Sequence, residues 1–238
     1  MNSPAQSYPP NQAPQSSGGG GKWVAGCGIG CLIIIILAVV LGFVAFNVFK
    51  EKSKEFIDNY TADEAVEIVE PALQKPEIED AVARFDAFKS AVSAGETPPP
   101  LVLDQDDINA LIYHHSDFSA LAGKAIVEME DNLLRSQISL DLDALEIPIP
   151  FIADQVEGKF FNGEAAFSLS MPAGRPSMFI EELQMNGAMV PEVVMSELRS
   201  ENLMKDLISD PEMKAFFDQI SDMKIEGGEL KILPKPAN

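Results

Sequence analysis

The sequence is poor in the side chains that carry covalent chemistry. Its 238 residues include two cysteines, Cys27 and Cys31, and no thiol follows. That excludes a disulfide framework or a cysteine zinc site from most of the chain. The two histidines, His114 and His115, are adjacent. Neighbours on a helix point about 100° apart, so they make a poor metal pair and are expected at a solvent-exposed helix end. There is no G-x-S-x-G, no phosphate-binding loop and no G-x-G-x-x-G. Asp104, Asp106 and Asp107 cluster, but the glycine and distal glutamate of a calcium loop are missing. Acids favouring a helix N-terminus explain them better. Asp141 with Asp143, and Glu181 with Glu182, fall on alternating strand patterns and are expected to be solvated. Neither an enzyme nor a cofactor or metal site is expected.

A second absence is acid in the first fifty residues, which carry only Lys22 and Lys50 as charged side chains. All 37 acids and 15 of the 17 bases come later, a net charge of −22 beyond Lys50 against −20 for the whole chain. So acidic a surface repels nucleic acid. Met1 to Gly21 is Pro, Ser, Gln, Asn and Gly, with too little apolar mass to offset its chain entropy, and is expected to be a disordered tail. Trp23 to Phe49 is the opposite: 27 residues with no charge, Asn47 being the one strongly polar side chain. About 20 apolar residues in a helix cross a bilayer, and this run shows no polar face. It predicts a transmembrane helix within 22–50, with Trp23 and Phe49 at its ends. Gly26 and Gly30, and Ala38 and Gly42, repeat at four-residue spacing. Small residues so spaced let two membrane helices approach, which makes a homodimer contact through the anchor an open reading beside ordinary glycine usage. Cys27 and Cys31, also four apart, are open to acylation or inert.

Beyond the anchor, residues 51–97 read as a helical stalk or hairpin. Ala65, Val66 and Val69 suggest a short helix ending before Pro71, and Pro76 opens a longer one with Ile78, Ala81, Val82, Phe85, Phe88 and Val92 inward. Gly95 and Pro98-Pro99-Pro100 end it. Residues 98–238 read as an antiparallel α+β domain. Leu101-Val102-Leu103 is a short strand, and Asp104, with Asp107 three residues on, caps a helix carrying Ile108, Leu111 and Ile112. From Lys124 the period becomes two: Val127 and Met129, then Ile138, Leu140 and Leu142, then Ala165, Phe167, Leu169 and Met171, then Leu183 and Met185. Such strands bury one face of an antiparallel sheet. Asn162-Gly163 predicts a hairpin, Pro172 to Pro176 another and Asp131-Asn132 a third. Pro191 opens a helix with Val194, Met195 and Leu198 inward; a second piece carries Leu203, Met204, Leu207 and Ile208. Asp210-Pro211 starts a helix with Met213, Phe216, Phe217 and Ile220. Met223 and Ile225, a Gly227-Gly228 turn, then Leu230 and Ile232 form a closing pair of strands. Methionines at 129, 171, 178, 185, 189, 195, 204, 213 and 223 either line an adaptable apolar groove or fill an ordinary core.

The stretch LVLDQDDINALI, the paired strands after it, NGAMVPEVVMSEL and the closing KIEGGELKIL together resemble YpmS-like single-pass bacterial membrane proteins, over about residues 100–233. The resemblance brings no catalytic residues. It implies an anchored α+β domain with a curved antiparallel sheet, held outside the cell membrane. Counting lysines argues the other way, since Lys50, Lys52 and Lys54 follow the run and only Lys22 precedes it. Long domains translocate largely regardless of charge, and the tail in the cytoplasm with the domain outside is the orientation expected. The expected function is a non-enzymatic, membrane-anchored envelope protein that binds a lipid-like or apolar ligand or an envelope partner; the alternative is a tethered scaffold with no ligand cavity.

Overall fold

A computed structural model describes residues 53–144, 154, 156–205 and 207–236. The tail, Trp23, Phe49, Gly26, Gly30, Ala38, Gly42, Cys27 and Cys31 lie outside the described residues. Among the described residues no helix is long and apolar enough to cross a membrane.

The domain is α+β, built on two antiparallel sheets. Helix α1 (Ser53–Tyr60) leads through an extended stretch to α2 (Lys75–Ser93). Then come β1 (Leu101–Leu103), α3 (Gln105–His114), β2 (Ala125–Glu130), β3 (Leu133–Asp141), β4 (Phe160–Ser170), β5 (Ser177–Met185) and β6 (Ala188–Met189). Helices α4 (Glu192–Leu198) and α5 (Pro211–Phe217) precede the hairpin of β7 (Ile220–Glu226) and β8 (Glu229–Pro234). The larger sheet has the order β2-β3-β4-β5-β6, and the smaller β1-β8-β7. Two sheets therefore stand where one was expected. The short first strand pairs not with its sequence neighbours but with the last, Leu101 opposite Ile232 and Leu103 opposite Leu230.

Alternation along the strands selects the core face. Ile138, Leu140, Ala165, Phe167, Ile180, Leu183 and Met185 point inward and are buried with Leu101, Leu103, Leu111 and Ile112. Helix starts follow their caps. Asp104 accepts from the Asp107 N–H (2.9 Å) while Asp107 accepts from the Asp104 N–H (3.2 Å), a reciprocal box. Asp210 accepts from the N–H groups of Glu212 and Met213, with Pro211 at the first helical turn. Seven of the nine methionines singled out serve the core: Met171, Met185, Met195, Met204 and Met223 are buried, and Met178 and Met213 pack against it, while Met189 is exposed.

Several expectations are corrected. Residues 61–74 form no helix. The chain there runs extended over one end of the large sheet, where the Val66 N–H is held by Ser139 Oγ and Asn162 Oδ1 (both 3.1 Å) and Asn162 donates to the Glu64 carbonyl (2.8 Å). Those bonds, available only in the folded domain, outweigh a weak local helical pattern. Asn162-Gly163 is not a turn but the interior of β4. Gly163 is needed for space: a Cβ would stand 2.6 Å from the Phe161 ring and 3.1 Å from the Gln184 carbonyl oxygen. The hairpin of that composition is Asn186-Gly187, both at positive φ (49° and 74°), joining β5 to β6. Asp131, at φ 55°, and the 172–174 turn reverse the chain as expected. Leu203 and Met204 are buried, but among the described residues of that region only 207–209 are helical. Ile220 belongs to β7 rather than to α5.

The segment read as a stalk or hairpin packs on the domain rather than standing free of it. Ile57, Phe88 and Val92 belong to the same buried cluster as the strands, and Ala62 exchanges two backbone hydrogen bonds with Phe160 (2.9 and 2.7 Å). A fragment of residues 53–238 should therefore unfold in one cooperative transition. Removing residues 53–70 as well takes out Ile57 and Ile68, each buried, and large buried aliphatics cost about 2–5 kcal/mol apiece. Urea denaturation should show the shorter fragment far less stable; equal midpoints would mean that the segment does not belong to the fold.

Candidate functional site

The solvent side of the large sheet is polar and holds a shallow depression of about 260 Å³. Pleating places Ile126, Glu128, Arg135, Gln137, Glu164 and Gln184 around it. Arg135 is central. Its Nε donates to Glu130 (2.7 Å) and its Nη1 to Glu182 (2.8 Å), a bridge from β2 across β3 to β5. The hydrogen bond to Glu182, then that to Glu130, holds the guanidinium above its ordinary pKa. The register shifts between Ala166 and Phe167, an irregularity that leaves Glu181 as the extra residue of β5. Glu181 and Glu182 consequently both leave the core side, Glu181 accepting from Ser168 Oγ (2.6 Å). This face can recognise a cationic or hydrogen-bonding surface.

Two of the sheet edges, by contrast, are met by side chains. Asn109 of α3 lies against the outer side of β2: its Nδ2 donates to the Val127 carbonyl (2.8 Å) and its Oδ1 accepts from the Val127 N–H (2.9 Å). Asn109 is buried, so this pair replaces the neighbouring strand that β2 lacks. On the smaller sheet, Arg84 of α2 donates Nη1 to the Val102 carbonyl of β1 (2.8 Å) and also pairs with Asp80 and Asp107.

The histidines part company. His114 is exposed, as expected of this helix end, with Nε2 3.0 Å from Glu70. His115 is 7% exposed, contrary to the expected solvent-facing helix end. Its Nδ1 accepts from the Asp117 N–H (3.1 Å), which assigns the proton to Nε2, facing Asp86 Oδ1 at 3.0 Å. Phe85 and Phe118 enclose the ring, with centroids 5.1 and 5.6 Å away, and Lys89 pairs with Asp117 alongside. The imidazole joins α2 to the turn after α3. Asp141 and Asp143 order the turn after β3, Asp141 accepting from the Asp143 N–H (2.9 Å) and Asp143 from the Gly158 N–H (3.0 Å). Among the described residues no group of three or more His, Cys, Asp or Glu side chains could hold a metal ion. Sequence reasoning missed Asn109 and Arg135. An asparagine within the inward-facing stretch of a helix was the available signal for the first; nothing local marks the second.

Asn109→Ala should destabilise the domain by about 1–3 kcal/mol, because it leaves a buried backbone donor and acceptor without partners. Asn109→Asp keeps the acceptor for the Val127 N–H but sets a charge against the Val127 carbonyl, and should cost more. Thermal or urea unfolding checks both; a neutral Asn109→Ala would refute the edge role. Compared with known proteins, the chain matches no family model, no curated protein and no solved structure.

Proposed function

We propose that this is a single-pass, non-enzymatic membrane protein whose acidic α+β domain is held at the bilayer as an interaction module for another envelope protein. The observation that carries the reading is the uncharged run Trp23–Phe49, which three residues join to a helix whose Ile57 is packed in the domain core. The polar face around Arg135 is the surface offered to a partner. Carriage of a lipid-like ligand draws less support, because seven of the nine methionines that would line an apolar groove are buried in the core or packed against it. The tail lies in the cytoplasm and the domain outside the cell membrane, an orientation that the lysine count opposes and the YpmS-like resemblance favours.

The full chain should stay with the membrane pellet through an alkaline carbonate wash, and protease added to intact spheroplasts should digest the domain beyond Lys54. Survival of the domain until the membrane is broken would reverse the orientation; release by carbonate would remove the anchor. The same reading makes Gly26, Gly30, Ala38 and Gly42 a contact between two anchors. Gly30→Ile should weaken self-association in a membrane dimerisation assay, and an unchanged signal would discard that contact.

A further inference from the structure

If the run at 23–49 is the anchor, as proposed above, the way the chain leaves it also restricts how the domain rests. The end of α1 is fastened to one end of the large sheet. The Tyr60 hydroxyl donates to the Met189 carbonyl (3.4 Å), the Asn186 side chain donates to the Thr61 carbonyl (2.9 Å), and Ala62 pairs with Phe160. Eleven residue steps separate Phe49 from Tyr60. With about 1.5 Å per residue along α1 and at most about 3.6 Å per residue before it, the tether reaches no further than about 25 Å. A domain of about 180 residues has a radius of gyration near 16 Å and is roughly 40 Å across. The attachment is shorter than the domain is wide, so this corner is kept near the bilayer.

Two large apolar side chains stand in solvent there. Met189, on β6, is 60% exposed, and Val193, four residues on in α4, is 74% exposed. Their neighbours Val190 and Val194 are buried, so the corner itself is firmly seated while Met189 and Val193 project from it. The intervening Glu192 is paired with Arg199 (2.6 Å), which leaves an apolar rather than a charged attraction to act. We infer that Met189 and Val193 enter the interfacial layer of the lipid bilayer, a second membrane contact beside the anchor. The tether length favours lipid over a protein as the occupant of this patch.

The test uses the full chain with Cys27→Ser and Cys31→Ser, reconstituted in phosphatidylcholine vesicles, with one nitroxide-labelled cysteine at a time. The positions are Met189→Cys, Val193→Cys, Val40→Cys within the uncharged run, and Val69→Cys, a site 67% exposed on the extended stretch nine residues beyond Tyr60. Collision with oxygen, which concentrates in lipid, is compared with collision with a water-soluble nickel chelate. The oxygen-to-nickel ratio at 189 and 193 should be several-fold above that at 69. A ratio equal to that at 69, with position 40 in lipid, would overturn the inference and leave the anchor standing. Water-like behaviour at position 40 would overturn both. Low collision with both reagents at 189 and 193 would put protein over the corner, whether residues 145–153 or a second copy, and would equally overturn the lipid contact.

Discussion

A single carboxamide closes the most vulnerable line of this fold. Strand β2 ends the large sheet, and an unpaired strand edge is an open template for another chain. Asn109 meets it with one donor and one acceptor at 2.8 and 2.9 Å, as a neighbouring peptide group would. Because Asn109 sits on α3, the same pair fixes the helix on the sheet. Leu111 and Ile112 then reach the core, and the Asp104 cap is brought beside β1. Arg84 does related work at β1, where a charged fork holds the Val102 carbonyl and the first turn of α3 together. With both of these edges occupied by side chains, the polar face around Arg135 stays open on the solvent side of the large sheet.

That face has an uneven charge balance. Arg135 is surrounded by Glu128, Glu130, Glu164 and Glu182, and two of those acids are engaged with it. Exposed ion pairs contribute little to stability, so the bridge matters more for holding three strands' side chains in one arrangement than for keeping the domain folded. The acids left over agree with a chain whose net charge beyond Lys50 is −22.

Much of the framework was legible before any coordinates. Period-two patterning found β2, β3, β4, β5 and the closing hairpin, and the Asp104 and Asp210 caps located two helix starts, because these signals act over a few residues. What escaped depends on partners far along the chain. Asn162-Gly163 and Asn186-Gly187 look alike locally; only the Phe161 ring and the bonds of Asn162 to Glu64, Val66 and Ser139 make the first a strand interior. Ala65 to Val69 is drawn out straight by that same group. His115 is buried because Asp86, Phe85 and Phe118 arrive from other elements. Arg135 reads as an ordinary exposed strand residue until the bulge in β5 brings Glu182 beside it.

The extended stretch over the end of the large sheet has a kinetic meaning as well. Thr61, Ala62, Glu64 and Val66 find their partners at Asn186, Phe160 and Asn162, roughly a hundred residues later in the chain. Closing so long a loop is slow compared with forming the local hairpins. As the chain leaves the ribosome, everything up to residue 60 is made long before its docking surface exists. The stretch after α1 therefore stays undocked until β5 and the Asn186-Gly187 turn have formed, and the pairing of β1 with β8 waits for a still later part of the chain.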